Sequence, residues 1–330
     1  MKVLVTGASG LLGGQTARAL AERGDEVTVL QRRPAGLGLR EVLADVADAD
    51  AVRTAAEGQD AVVHLAAKVN VTGAEAAYRQ ANVVGTRSVV AACQQAGVAR
   101  LVNVSSPSVA HAGASLVGVG AGPADPASAR SPYARSKAEA EQIALAADSP
   151  ELAVLSIRPH LVWGPGDTQL VGRIVARARS GRLPLIGPGA VLVDTTYVTN
   201  AVDALVAAVD HCRPDDVHGE ALVVTNGEPR PIGEVLSSWC RAAGVPAPTR
   251  HIPVPLATAA GLVAEAVWSL RPGDDADPPL NRFLVEQLST AHWFDQRRTR
   301  EALAWMPRVS LDEGFAELAR WYSNPSERAS

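Results

Sequence analysis

Short apolar runs alternate with helical patterns through the first half of the chain. Lys2–Thr6 predicts a strand, and Leu11–Arg23 a helix stopped by Gly24. Further strands are predicted at Glu26–Gln31, Val42–Val46, Ala61–Ala67, Arg100–Ser105 and Ala153–Arg158. Helices are predicted between them at Ala74–Ala96 and Pro132–Ala147. Most of these strands are apolar throughout, as strands are when both faces of their sheet are covered. The alternation predicts an α/β fold built on a doubly wound parallel sheet. Past Gly164-Pro165-Gly166 the rhythm loosens, with helices predicted at Leu170–Ser180, Val198–Val209, Ile232–Ala243 and Leu256–Leu270. The expected division is a first domain over 1–165, with segments near 191–225 returning to it. A smaller substrate-binding domain is expected over 166–330.

Composition narrows the function classes. A chain of 330 residues is long for one core. A net charge of −4 and the lack of a basic run argue against a nucleic-acid surface. Val254–Leu270 is apolar but holds Pro255 and Glu265 and is too short for a membrane span, so no transmembrane segment is expected. The chain enters a strand at once, so no signal peptide and a cytoplasmic location are expected. Cys93, Cys212 and Cys240 are far apart, with no metal-ligand spacing, so no metal is expected. The expected partners are a small hydrophobic substrate and a second copy of the chain, as a homodimer.

Thr6-Gly7-Ala8-Ser9-Gly10-Leu11-Leu12-Gly13 lies where the first strand passes into the first helix. Glycines let the backbone approach a pyrophosphate closely, and free N–H groups at a helix start attract its charge. The stretch therefore predicts a Rossmann-type dinucleotide site. The second strand ends in Gln31-Arg32-Arg33 instead of an acidic residue. Two guanidinium groups suit a 2′-phosphate, which favours NADP, NADPH above all, with NAD the alternative. Asp45 and Val46 are placed near the adenine, and Leu65, Ala66 and Ala67 along the cofactor. His64 reads as a packed strand residue without chemistry.

Tyr133 and Lys137 stand four apart in a helix with Ser131 as its N-cap, so both share one face. A nearby ammonium makes a phenol easier to ionise. The pair can then exchange a proton with a ketone or alcohol. Ser106, at the end of the fifth strand, is placed to polarise the same carbonyl, with Ser105 the fallback. Arg173, Arg177, Arg179 and Arg182 read as a diphosphate site or as a solvated helix face. His111 reads as a solvated loop histidine, with contact to a substrate carboxylate as the alternative.

Together, Thr6-Gly7-x-x-Gly10-x-x-Gly13, His64-Leu65-Ala66-Ala67, Asn82-Val83-Val84-Gly85-Thr86, Val104-Ser105-Ser106, Tyr133-x-x-x-Lys137 and Arg158-Pro159 resemble the extended short-chain dehydrogenase/reductase family. The likeness covers nearly the whole chain and points to the 3β-hydroxysteroid dehydrogenase branch. It implies Tyr133 as acid/base, Lys137 as its partner and ribose ligand, and Ser106 as donor to the carbonyl. It further implies Asn82 as a structural residue, and Pro159 and Val162 beside the nicotinamide. The implied reaction interconverts a 3-oxo and a 3-hydroxy group on a lipid-like substrate, a 2-alkyl-3-oxoalkanoate or a sterol-like compound. The apolar positions Leu256, Ala259, Ala260, Leu262, Val263 and Val267, with the loop Ala110–Ala129, are expected to line its tunnel. A nucleotide-sugar epimerase or dehydratase is the alternative, and a non-catalytic dinucleotide sensor the remote one. Val109-Ala110-His111 departs from the family's aromatic-glycine pair and leaves the substrate open.

Overall fold

The computed structural model describes residues 1–69, 73–111, 113–269 and 282–324. Leu270 and the tail from residue 325, both part of the sequence expectations, lie outside the described residues.

Seven parallel strands form the central sheet. In chain order they are β1 Lys2–Thr6, β2 Glu26–Gln31, β3 Arg40–Leu43, β4 Ala61–His64, β5 Arg100–Val104, β6 Ala153–Pro159 and β7 Glu220–Val224, and in space β7-β6-β5-β4-β1-β2-β3. The order reverses between β1 and β4. In such sheets a ligand binds outside the carboxyl ends at that switch point. One face buries Val3, Val5, Val29 and Val63 under helices α1 Leu11–Glu22 and α7 Val198–His211. The other buries Leu4, Val62, Leu101 and Val154 under α2 Ala49–Ala56 and α4 Gly85–Ala96. β7 pairs with β6, so the chain near residue 220 rejoins the first sheet after its excursion.

Two predicted strands end earlier than their apolar runs. β3 stops at Leu43, because Asp45 accepts from Ala47 N at 2.9 Å and closes a turn that strand pairing cannot continue. β4 stops at His64, where Ala66 N donates to Thr6 Oγ1 at 3.1 Å and bends the chain over β1.

The Gly- and Ala-rich loop after β5 contains an unpredicted strand, Leu116–Val119. It pairs in parallel with His292–Phe294, at the edge of a four-stranded sheet with Leu192–Val193 and Arg230–Pro231. Gly118, at φ +62°, lies under the Trp293 ring, and a Cβ there would stand 2.8 Å from it. A second aromatic core forms beyond the sheet, where Trp163, Tyr197, Trp239 and Phe315 meet. Among the described residues, no helix is long and apolar enough to cross a membrane.

Candidate active site

The glycine turn is built by close backbone approach. Gly7 has φ +79°, and a Cβ there would lie 2.7 Å from Ala66 N. A Cβ on Gly13 would lie 2.4 Å from Gly7 O. Gly10 is less crowded, its nearest neighbour being Gly7 O at 3.5 Å. Gly10 also caps α1 without a side-chain hydrogen bond. The first N–H groups of α1, from Leu11 onward, are therefore left for an anion. Ser9 is exposed beside them, Leu11 packs toward the Trp163 cluster and Leu12 toward the main core. A cradle that side chains would fill, next to an uncapped helix start, fits a dinucleotide pyrophosphate. Leu65, Ala66 and Ala67 are half-buried against this turn.

Arg32 and Arg33 lie in the turn after β2, both exposed. Arg32 makes a loose 3.8 Å ion pair with Asp45. The Gln31 amide is committed to Glu41. Val46 is buried and touches the site of Gly85, so it supports the helix beneath the turn.

Tyr133, Lys137 and Ser106 meet at the carboxyl end of β5. Helix α5, Pro132–Leu145, starts on the Ser131 cap, whose hydroxyl accepts from Ala134 N at 3.1 Å. Tyr133 is half-buried, with its hydroxyl close to Ser106. Burial raises its hydroxyl above the ordinary tyrosine value, and the nearby Ser106 hydroxyl offsets part of that. Lys137 is buried and donates to Val104 O at 2.6 Å. Burial lowers it to about 8, while the Glu141 charge pulls it back up. Ser106 opens the 3-10 helix Pro107–Ala110, and its Oγ accepts from Ser108 Oγ at 3.0 Å. Ser105 is buried with its hydroxyl unpartnered among the described residues.

Asn82 sits in a π-helical stretch, Arg79–Val84, between α3 Glu75–Tyr78 and α4. It donates to Ser136 Oγ at 2.9 Å and accepts from Lys68 N at 2.7 Å, tying the cofactor-side loop to α5. His64 lies between Thr6 and Thr86 at 2.8 and 3.0 Å. Burial and the Lys137 charge hold it neutral, down at about 3. Pro159 ends β6, and Val162 pairs with Thr196 just beyond it.

Sequence reasoning missed a supporting pair. Glu141 continues the Tyr133–Lys137 stripe by another four residues and accepts from buried Arg158 Nε at 2.8 Å. Arg158 also donates to Ala121 O, holding the loop after β5 against the sheet. The readable signal was the repeated spacing of four, plus one arginine in an otherwise apolar strand.

Two expectations are corrected. His111 is not a solvated loop histidine; it is buried edge-to-face against His292. Nor do the apolar positions of helix α9, Val254–Ser269, line an enclosed tunnel. Leu256 and Val263 are each 63% exposed, and Ala259, Ala260, Leu262 and Val267 are exposed too, because α9 turns only Ala257 and its neighbours inward. Of the arginines after Leu170, Arg179 and Arg182 are exposed and Arg173 donates to Gln169 just before its own helix, as on a solvated face.

The model of the NAD dependent epimerase/dehydratase family matches residues 3–224. The chain is 42% identical over 325 residues to a 2-alkyl-3-oxoalkanoate reductase of Stenotrophomonas maltophilia (strain K279a), covering 96% of this chain and 98% of that protein. It is 32% identical to the sterol-4-alpha-carboxylate 3-dehydrogenase, decarboxylating, of Homo sapiens, covering 94% and 85%. Among solved structures it is similar to MoeE5 in complex with UDP-glucose and NAD, with 27% identity, a TM-score of 0.75, and 98% and 99% of the two chains covered. With its glycine turn and Tyr133–Lys137 helix, the chain belongs to the NAD dependent epimerase/dehydratase family, the extended short-chain dehydrogenases/reductases, and is an oxidoreductase of that family.

Proposed function

We propose that this protein is an NADPH-dependent reductase that converts the 3-oxo group of a 2-alkyl-3-oxoalkanoate-like substrate into a 3-hydroxyl. The observation that carries the reading is the junction of Tyr133, Ser106 and Lys137 at the end of β5. The name of the relative that is 42% identical supports the substrate class.

The dinucleotide, when bound, supplies the hydride. Tyr133 supplies the proton. Because burial keeps its hydroxyl above the ordinary value, the resting side chain is the neutral acid that a reduction needs. Ser106 stands close to the Tyr133 hydroxyl, so a carbonyl oxygen placed between them meets two donors, one of which yields its proton. Lys137, at about 8, carries its charge at neutral pH and makes the departing proton easier to lose. Asn82 and Ser136 hold the helix that carries both. Residues 1–165, with the return near 191–225, hold the dinucleotide, and 166–330 hold the substrate.

A nucleotide-sugar epimerase or dehydratase is the second reading, favoured by the likeness to the UDP-glucose complex of MoeE5. A homologous series of 2-alkyl-3-hydroxy acids, followed by NADPH absorbance, separates the two. Each added methylene is worth about 0.8 kcal/mol when buried, so kcat/KM should climb a few-fold per step until the site is filled. A flat profile alongside turnover of a uridine or thymidine diphosphate sugar replaces the first reading by the second.

A further inference from the structure

Three imidazoles meet where the loop after β5, the end of β6 and the strand His292–Phe294 come together. His111 and His292 stand edge-to-face with ring centroids 4.8 Å apart, and His160 lies 5.8 Å from His292. They are 3%, 2% and 6% exposed.

Hydrogen bonding sets two of the tautomers. The Asp194 carbonyl can only accept, so His160 donates to it from Nδ1 at 2.6 Å and keeps a bare Nε2. Thr290 gives its hydroxyl proton to Glu286 O at 2.6 Å, so at 3.2 Å it accepts from Nε2 of His292. Nδ1 of His292 is then a bare lone pair, and it has no partner among the described residues. Neither ring nitrogen of His111 has one either; the Ala114 backbone approaches it without hydrogen-bonding geometry. Buried polar atoms are nearly always satisfied, so this group of orphans asks for an occupant.

The cluster flanks the reacting position. Val104 pairs opposite Ile157 as the last pair of that ladder, so Ser106 and Pro159, each two residues further on, leave the sheet at the same end. His160 follows Pro159, and His111 closes the short helix that Ser106 opens. Between His160 and Val162, Leu161 holds φ +44°, a costly conformation for a non-glycine and one that tends to mark functional sites.

Charge around the cluster is nearly balanced. Glu286 and Arg130 face His111 and pair with each other at 2.7 Å. Burial and mutual repulsion lower His292 to about 3, and burial lowers His160 to about 4, so both are neutral at pH 7. A carboxylate entering such a place is stable only with a proton beside it.

We propose that His111 and His292, backed by His160, form the pocket for the carboxyl group of a 3-oxo or 3-hydroxy acid, which is held with one proton shared between a carboxyl oxygen and Nδ1 of His292. This rests on the reading of the substrate as such an acid. In that compound a single carbon separates the carboxyl from the reacting carbon, so an acid group must lie beside the oxygen held by Ser106. Only hydrogen bonds form, and one proton is taken from solvent for each carboxylate bound at neutral pH.

The test uses the full chain with NADP+, a 2-alkyl-3-hydroxy acid and its methyl ester. Calorimetry at pH 7.5 in buffers of different ionisation enthalpy is expected to show uptake of one proton for the acid and none for the ester. His292→Phe and His111→Phe should lower the acid-to-ester ratio of kcat/KM by about ten- to a hundred-fold, mainly through KM, as loss of a hydrogen bond to a charged group does. A wild-type ratio near one without proton uptake overturns the pocket, and needs no variant to fold. Equal losses on acid and ester in the variants overturn it too, while leaving the reductase reading in place. If the wild type neither binds nor oxidises the acid, the substrate reading falls and this pocket falls with it.

Discussion

In the proposed reduction, Tyr133 holds a proton at neutral pH and releases it to a substrate oxygen. Its environment favours holding, through burial, and Ser106 favours release. Tyr133→Phe keeps the ring and removes the proton. Steady-state kinetics should show kcat down by roughly 10²–10⁴, the usual weight of general acid catalysis, with dinucleotide binding by fluorescence titration retained. Near-full turnover in that variant would reassign the acid. The proposed NADPH preference rests in the same local way on Arg32 and Arg33. Both are open to solvent, Arg32 at 77% exposure, and among the described residues its ion-pair partner is Asp45, 3.8 Å away. Replacing both with alanine is expected to weaken NADPH by about ten-fold and leave NADH nearly unchanged, the weight of screened contacts to a charged group. Dissociation constants that favour NADH in the unaltered protein would refute the NADP preference.

The strand–turn–helix unit of β1 and α1 works only with small residues at the crossing. Gly13→Ala puts a methyl 2.4 Å from a backbone oxygen that has no side chain to move. Urea unfolding should register a loss of about 1–3 kcal/mol, the ordinary cost of overpacking. Gly10→Ala is the contrast. Its new methyl clears Gly7 O at 3.5 Å, so stability should hold, while dinucleotide affinity falls because the methyl sits beside the free N–H groups of α1. Equal stability losses in the two variants would show that the Gly13 contact is not the tight one. The α5 unit is read in a similar way. Its stripe of Tyr133, Lys137 and Glu141 at intervals of four brings acid, cation and counter-anion to one face, and Arg158 completes the charge from the neighbouring strand.

Packed together, the units bury histidines that stay neutral. His64, His160 and His292 are lowered from 6.5 to about 3, 4 and 3. A histidine whose folded value lies below its unfolded one adds stability above the unfolded value and loses it as pH falls. Between pH 6.5 and 4 the unfolded chain binds more protons, so acid destabilises the native state by about 2 kcal/mol per histidine at pH 5. Asp194, raised from 3.8 to about 6 by burial, acts oppositely. Its native form takes a proton first as pH drops below 6, which offsets roughly 1 kcal/mol of the loss at pH 5. The expected result is a urea midpoint that drops steeply between pH 6.5 and 5. His64→Asn should flatten that slope by about one proton, and a pH-independent midpoint would contradict the neutral buried histidines.

Spacing along single elements carried much of this protein in plain view. The alternation of apolar runs and helical patterns, the glycines three apart and the Tyr133–Lys137 pair are short-range features, and short-range sterics and helix geometry are enough to read them. Other features depend on partners far along the chain, and no local period encodes those. Leu116–Val119 becomes a strand because His292–Phe294 comes to lie beside it, and His111 is buried for the same reason. Arg158 is tolerated near the end of a buried, mostly apolar strand because Glu141 arrives from α5. The apolar positions of α9 read as a tunnel lining from their composition, yet packing turns them outward, since burial belongs to the assembled surface and not to the side chain. The Tyr133–Lys137 spacing was therefore legible from one helix, while the histidine cluster forms only where three distant segments close on one another.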